Sequence, residues 1–240
     1  MRNSEEIKAE IREQFGFVPP FFEPAQATPE VLDNLWQQTL SAYISNPLPA
    51  LFKEKLFAYL SRYCLVPYCL VCHSCALRPL GMTAEEILAL LEEPAPRITT
   101  DLPIQLAHLI QQPEPLTAWP PENSLMEKFL YYYAILVYLK PYHTQPYRIE
   151  LKRLLGPVYY NHLSLFLAYV KTCHQWVESY PELLYEADRR AQLYLAELLE
   201  SEPALADFFH NYLEKVRQEN QNQEDELTQQ ILALQQVELS

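Results

Sequence analysis

Apolar residues recur every three or four positions through most of the chain, with polar residues filling the remaining helical faces. This spacing predicts helices over about 4–15, 29–45, 49–63, 67–80, 83–92, 102–111, 124–139, 148–155, 158–179, 182–200 and 203–219, with a further amphipathic piece over about 223–237. No segment shows the strict alternation of a strand. Helix starts are signalled by Ser4 before Glu5 and Glu6, by Thr28 with Pro29, by Thr83 with Glu86 and by Ser124 with Glu127. The last two match the capping box, in which a hydroxyl and a glutamate three residues on satisfy each other's backbone N–H.

Composition sharpens the helical reading. The chain has only three glycines in 240 residues, and Gly16, Gly81 and Gly156 each follow an apolar-periodic run, as residues just past a helix end do. The twenty prolines lie mostly between periodic segments, where they start helices or stiffen loops. The fold class is therefore all-α. We place one multi-helical domain over 1–219 and a polar amphipathic helix or tail over 220–240. In that tail Leu227, Ile231, Leu234 and Val237 form a narrow stripe, too short to define a coiled coil. It fits a partner helix or a connector to signalling modules.

A net charge of −13 argues against nucleic acid or an anionic membrane as partner, since both need clustered Lys and Arg. The charged, amphipathic start lacks the apolar centre of a secretory signal, and the longest apolar run, FLYYYAILVYL, is too short to span a bilayer. The expected location is cytoplasmic. Five cysteines, four within twelve residues, do not form a spread disulfide framework. In a reducing compartment they are free thiols, redox-active thiols or metal ligands.

The chemistry concentrates in EKLFAYLSRYCLVPYCLVCHSCALRPLG, Glu54 to Gly81. With Pro67 in the first turn of a helix, Cys69 falls near the positive end of the helix dipole, and His73 sits one turn on along the same face. Both features favour a thiolate, the nucleophile of disulfide and peroxide chemistry. Glu54 lies mid-helix in the preceding apolar segment, a depth at which a carboxylate needs a partner. His73 is then the base for Cys69, with Glu54 accepting or orienting the proton on the imidazole. The plainer reading makes Cys69 a small buried hydrophobe beside a satisfied core histidine.

The order Glu, eleven residues, a first cysteine position, two residues, Cys, three residues, His resembles the signature of the alkyl hydroperoxidase D-like and carboxymuconolactone decarboxylase superfamily. Glu54, Cys69 and His73 fall on its glutamate, second cysteine and histidine, while Val66 stands where the first cysteine would be. The resemblance implies that family's all-helical fold, a Cys69 nucleophile with a His73 and Glu54 relay, and a homo-oligomer. The motif covers about a tenth of the chain, with weaker helical similarity to about residue 180. Without a cysteine at Val66, a resolving thiol must come from Cys72, on the same helical face as Cys69, or from Cys64 just before the helix. Cys75 points to another face and is read as core.

Cys64, Cys69, Cys72 and His73 are also zinc-type ligands, yet three of them lie on one helical face within a few residues, whereas structural zinc usually draws on two chain segments. No metal or cofactor is called for. His108, His162, His174 and His210 show no partner pattern, and Cys173 and His174, being adjacent, diverge on a helix. The clusters Tyr131 to Tyr133 and Tyr159 with Tyr160 are core filling or the lining of an apolar pocket.

A degenerate repeat is also visible. EKLFAYL at 54–60 pairs with EKFLYYY at 127–133, PYC at 67–69 with PYH at 141–143, and LRPLG at 77–81 with LKRLLG at 151–156. One reading is two helical units, about 49–92 and 124–180, with Glu127 and His143 as counterparts of Glu54 and Cys69. The other is chance similarity of two Tyr- and Leu-rich helices.

The expected function is thiol-dependent redox chemistry on a small hydroperoxide or a thiol/disulfide substrate, recycled by an unidentified protein reductant. A non-catalytic helical sensing or interaction module with a partly decayed site stands as the rival. Decarboxylation of a lactone acid fits poorly, because that branch of the resembling family does not use a cysteine nucleophile.

Overall fold

The computed structural model describes residues 2–96, 115–139 and 145–238, and the regular structure within them is all helical. In chain order the helices are α1 (Ser4–Phe15), α2 (Pro29–Thr39, continued by a π turn over Leu40–Ile44), α3 (Ala50–Tyr63), α4 (Pro67–Leu77), α5 (Ala84–Glu92), α6 (Leu125–Leu139), α7 (Gln145–Glu178), α8 (Arg189–Ser201) and α9 (Pro203–Glu238). Short 3-10 turns cover Pro20–Ala25 and Tyr185–Ala187. The all-α class expected from the spacing is what the structure has. The expected helix over 102–111, His108 and the PYH segment with His143 lie outside the described residues.

Local signals place most helix ends, with some shifts. Asn3, not Ser4, caps α1: its side chain accepts the Glu6 N–H at 3.0 Å, while the Glu6 carboxylate accepts the Asn3 N–H. Thr83 and Glu86 form the expected box on α5. At α6 the Ser124 hydroxyl accepts the Glu127 N–H, but the buried Glu127 carboxylate accepts from Asn123 N and Trp119 Nε1 instead of returning to Ser124. The expected helix over 182–200 starts only at Arg189, because Asp188 caps it there. No breaker interrupts 203–238, so the two predicted pieces are one helix; the side chains of Leu227, Ile231, Leu234 and Val237 lie outside the described residues. The two helices predicted on either side of residue 156 are continuous except for a kink at Gly156, φ 64° and ψ 174°, followed by Pro157. A Cβ at Gly156 would also meet the Pro115 ring at 3.1 Å.

Helices α3 and α4 form the centre. Almost every residue from Phe52 to Tyr63 is buried, as is nearly all of α4, which explains why α4 reads as apolar on every face. Around this hairpin pack α5, α7, α8 and α9, and the buried apolar residues form one connected core. No described helix is long and apolar enough to cross a membrane.

The turn between α3 and α4 fixes the site. Val66 N–H bonds the Ser61 carbonyl at 3.1 Å and Leu65 N–H bonds the Arg62 carbonyl at 3.2 Å, the paired bonds of a Schellman motif. Its left-handed residue is Leu65, φ 59°, where glycine is usual; a side chain there costs about 1–2 kcal/mol. Val66 ends one motif and serves as N-cap of α4, so the hairpin closes with no spare residue and sets α4 against α3 in one register.

A buried cation ties the long C-terminal helix to this hairpin. Arg62 of α3, fully buried, donates to both oxygens of Glu219 on α9 at 2.6 and 2.7 Å and to the Glu93 carbonyl at 2.9 Å. The Tyr63 hydroxyl donates to the same carboxylate at 3.0 Å.

Candidate functional site

The hairpin brings Glu54 and His73 together. His73 Nδ1 lies 2.7 Å from Glu54 Oε2, and both residues are buried. The Tyr43 hydroxyl, from the π turn after α2, donates to the other oxygen of Glu54. The Phe57 ring, one turn after Glu54, stacks on the imidazole with centroids 3.6 Å apart and planes 12° apart. The ring is thus fixed in plane by Phe57 and in rotation by Glu54. Burial drives the Glu54 carboxyl upward, but the His73 and Tyr43 bonds and the Arg190 charge outweigh it and leave Glu54 below the ordinary carboxylate range. Burial also holds His73 below an ordinary imidazole, with Glu54 opposing. At neutral pH the pair is a carboxylate accepting Nδ1–H from a neutral ring, which leaves Nε2 as the basic nitrogen.

His73 lines a small cavity of about 40 Å³ together with Cys69, Cys173, Thr39, Tyr169 and Arg190. That is room for a very few water-sized molecules, at about 10–15 Å³ each. Arg190 reaches it from α8, paired with the fully buried Asp188 by bonds of 2.9 and 3.0 Å. Asp188 also accepts from the Tyr68 hydroxyl at 2.8 Å, so α4 and α8 meet at one charged cluster beside the thiols. A larger concavity of about 940 Å³ between α3, α5 and α6 has neither thiol nor imidazole in its described lining. The Cys69 thiol and His73 imidazole of the motif therefore meet at the small cavity and not at the larger one.

Cys69 sits in the first turn of α4 as its spacing predicts, yet it is only 2 % exposed. Burial pushes its thiol well above the usual value, Cys173 and Cys72 add to this, and Arg190 opposes. The expected depression of the thiol by the helix start and the imidazole is thus overruled, because desolvation of a thiolate outweighs a half-charge dipole in this setting. His73 and Cys69 share a helical face and a cavity, but the imidazole turns its Nδ1 to Glu54, and among the described residues no hydrogen bond joins it to Cys69.

The other cysteines separate. Cys72 is fully buried, which with the nearby Asp188 raises its thiol well above the usual value while Arg190 opposes, and Cys64, partly exposed, donates to the Tyr138 hydroxyl at 3.8 Å. Cys75 is fully buried. Among the described residues no three His, Cys, Asp or Glu side chains converge to hold a metal ion. Glu127, which the repeat reading pairs with Glu54, accepts from Trp119 Nε1 and Asn123 N, and His143 lies outside the described residues.

Several site residues carried no legible signal. Tyr43, Thr39, Tyr169, Asp188 and Arg190 come from segments far from the motif in sequence, and only folding assembles them. Cys173 lines the cavity, and its neighbour His174 diverges from it, as adjacent residues on a helix do. His174 faces away to a second buried chain: Tyr138 hydroxyl to His174 Nδ1 at 2.9 Å and His174 Nε2 to Ser61 Oγ at 2.8 Å.

Comparison with known protein families, with curated proteins and with solved structures finds no match, so the resemblance to the alkyl hydroperoxidase D-like proteins rests on the motif of Glu54, Cys69 and His73 and its helical context.

Proposed function

We propose that this chain is a thiol redox protein, built on the alkyl hydroperoxidase D-like plan its motif resembles, in which the Cys69 sulfur reduces a hydroperoxide of about the size of hydrogen peroxide. The observation that supports this is the shared cavity, where Cys69, an imidazole oriented by a carboxylate, and a guanidinium converge. Cys69 gives its proton to His73 Nε2, Glu54 balances the imidazolium, and Arg190 steadies the thiolate. The sulfur bonds one peroxide oxygen as the O–O bond breaks. The departing hydroxide takes the proton back from Nε2 and leaves as water, so sulfur is oxidised to sulfenic acid and peroxide is reduced. A dithiol reductant, small or protein-borne, returns the thiol. A cavity of about 40 Å³ excludes bulky alkyl hydroperoxides unless it opens.

Burial of Cys69 and the presence of Val66, 1 % exposed in the position of a first cysteine, favour a second reading, a sensing or interaction module without turnover. Trapping sulfenic acid with dimedone after hydrogen peroxide treatment, followed by peptide mapping, separates the possibilities. An adduct at Cys69, with dithiol-dependent peroxide consumption, supports the enzyme. An adduct without turnover supports the sensor, and the absence of both an adduct and a dithiol-reversible oxidation at Cys69 removes both redox readings.

A further inference from the structure

We infer that Cys173 of α7 is the resolving thiol for Cys69, so that oxidation closes a disulfide between α4 and α7 through the shared cavity. This rests on the redox reading above. Two observations single out Cys173.

First, it is the other thiol in the lining of the cavity; Cys72 and Cys64 are not in its lining. A sulfenic acid formed on Cys69 is generated where the oxidant sits, and the attacking sulfur must reach it from the same space. Second, of the two cysteines proposed by sequence spacing, Cys72 is fully buried outside the cavity and Cys64 donates to Tyr138.

Cys173 is not ionised beforehand, so its proton must leave in the step itself. Burial raises its thiol to about 12, while the Tyr169 hydroxyl one turn before it and Arg190 pull the other way. Tyr169 is itself anchored, its hydroxyl 2.9 Å from Thr39 Oγ1. The sulfur of Cys173 attacks the sulfur of the Cys69 sulfenic acid, an S–S bond forms, the S–O bond breaks, and the hydroxyl leaves with the Cys173 proton as water. No oxidant beyond the hydroperoxide is consumed, and a dithiol reverses the link. The cross-link would join helices that the sequence places about a hundred residues apart.

The test uses the full chain with one equivalent of hydrogen peroxide, alkylation of the remaining thiols, digestion and mass mapping. The expected product is a dithiol-reversible link between the Cys69 and Cys173 peptides. Cys173→Ser should abolish that link and raise the dimedone adduct at Cys69 severalfold, while Cys72→Ser and Cys64→Ser should leave the link in place. The wild-type map decides the matter even if a variant folds poorly. A link from Cys69 to Cys72 or Cys64 overturns the assignment of Cys173 and leaves the redox function standing. Absence of any oxidation at Cys69 overturns both.

Discussion

Lowering the pH from 7 to 5 perturbs one well-defined element of this core, the buried chain through His174. Ser61 Oγ donates to the Phe57 carbonyl at 2.8 Å, so its lone pairs must accept from His174 Nε2–H, and Nδ1 is left to accept the Tyr138 hydroxyl proton. Cys64 in turn donates to Tyr138. Every proton in the chain is committed, and a second ring proton on Nδ1 would face the Tyr138 hydroxyl hydrogen. Burial, with the His73 ring nearby, accordingly holds His174 down to about 3.

The unfolded chain takes up a proton at this residue near pH 6.5, while the folded chain does not until about pH 3. Stability from this group is therefore fully present above pH 6.5 and is lost as pH falls, at about 1.4 kcal/mol per pH unit. Over the interval from 6.5 to 5 the loss is about 2 kcal/mol. His73, also lowered by burial, acts in the same direction, whereas the lowered carboxylates Glu54 and Asp188 begin to act as the pH falls into the ordinary carboxylate range, where the unfolded chain takes up their protons. Urea unfolding at pH 7, 6 and 5 measures the slope. His174→Gln should lose about 1–2 kcal/mol at pH 7 through its hydrogen bonds but show a shallower pH dependence, so that the two proteins converge near pH 5. Parallel stability curves for wild type and variant would refute the assignment of the acid response to His174.

Two further outcomes are expected. Glu54→Gln preserves size but removes the charge that orients and balances His73, so sulfenic acid formation at Cys69 should slow by about 10²-fold with the circular dichroism unchanged; an unchanged rate and an unchanged pH profile would make Glu54 purely structural. Glu219→Ala leaves the Arg62 guanidinium buried without its carboxylate and should cost about 3 kcal/mol, read by urea unfolding, with faster hydrogen exchange along α9; the double change Arg62→Met with Glu219→Leu should recover most of the loss.

The sequence by itself determined the helical class, most helix positions, and the partnership of Glu54 with His73. These are local matters: periodicity fixes which face is buried, capping residues fix where helices begin, and a carboxylate within an apolar run must find a partner. The tertiary structure decided the rest. Leu65 in a glycine's place gave no turn signal, so the register of α3 against α4 was hidden in the Schellman bonds of Ser61 and Arg62. Helix-start logic favoured a low-pKa Cys69, because dipole and neighbour effects are local, but the desolvation that opposes them depends on every helix packed around the thiol. Tyr43, Cys173 and Arg190 reach the cavity from three separate segments, and no spacing rule links residues whose proximity arises only when α2, α7 and α8 close around α4.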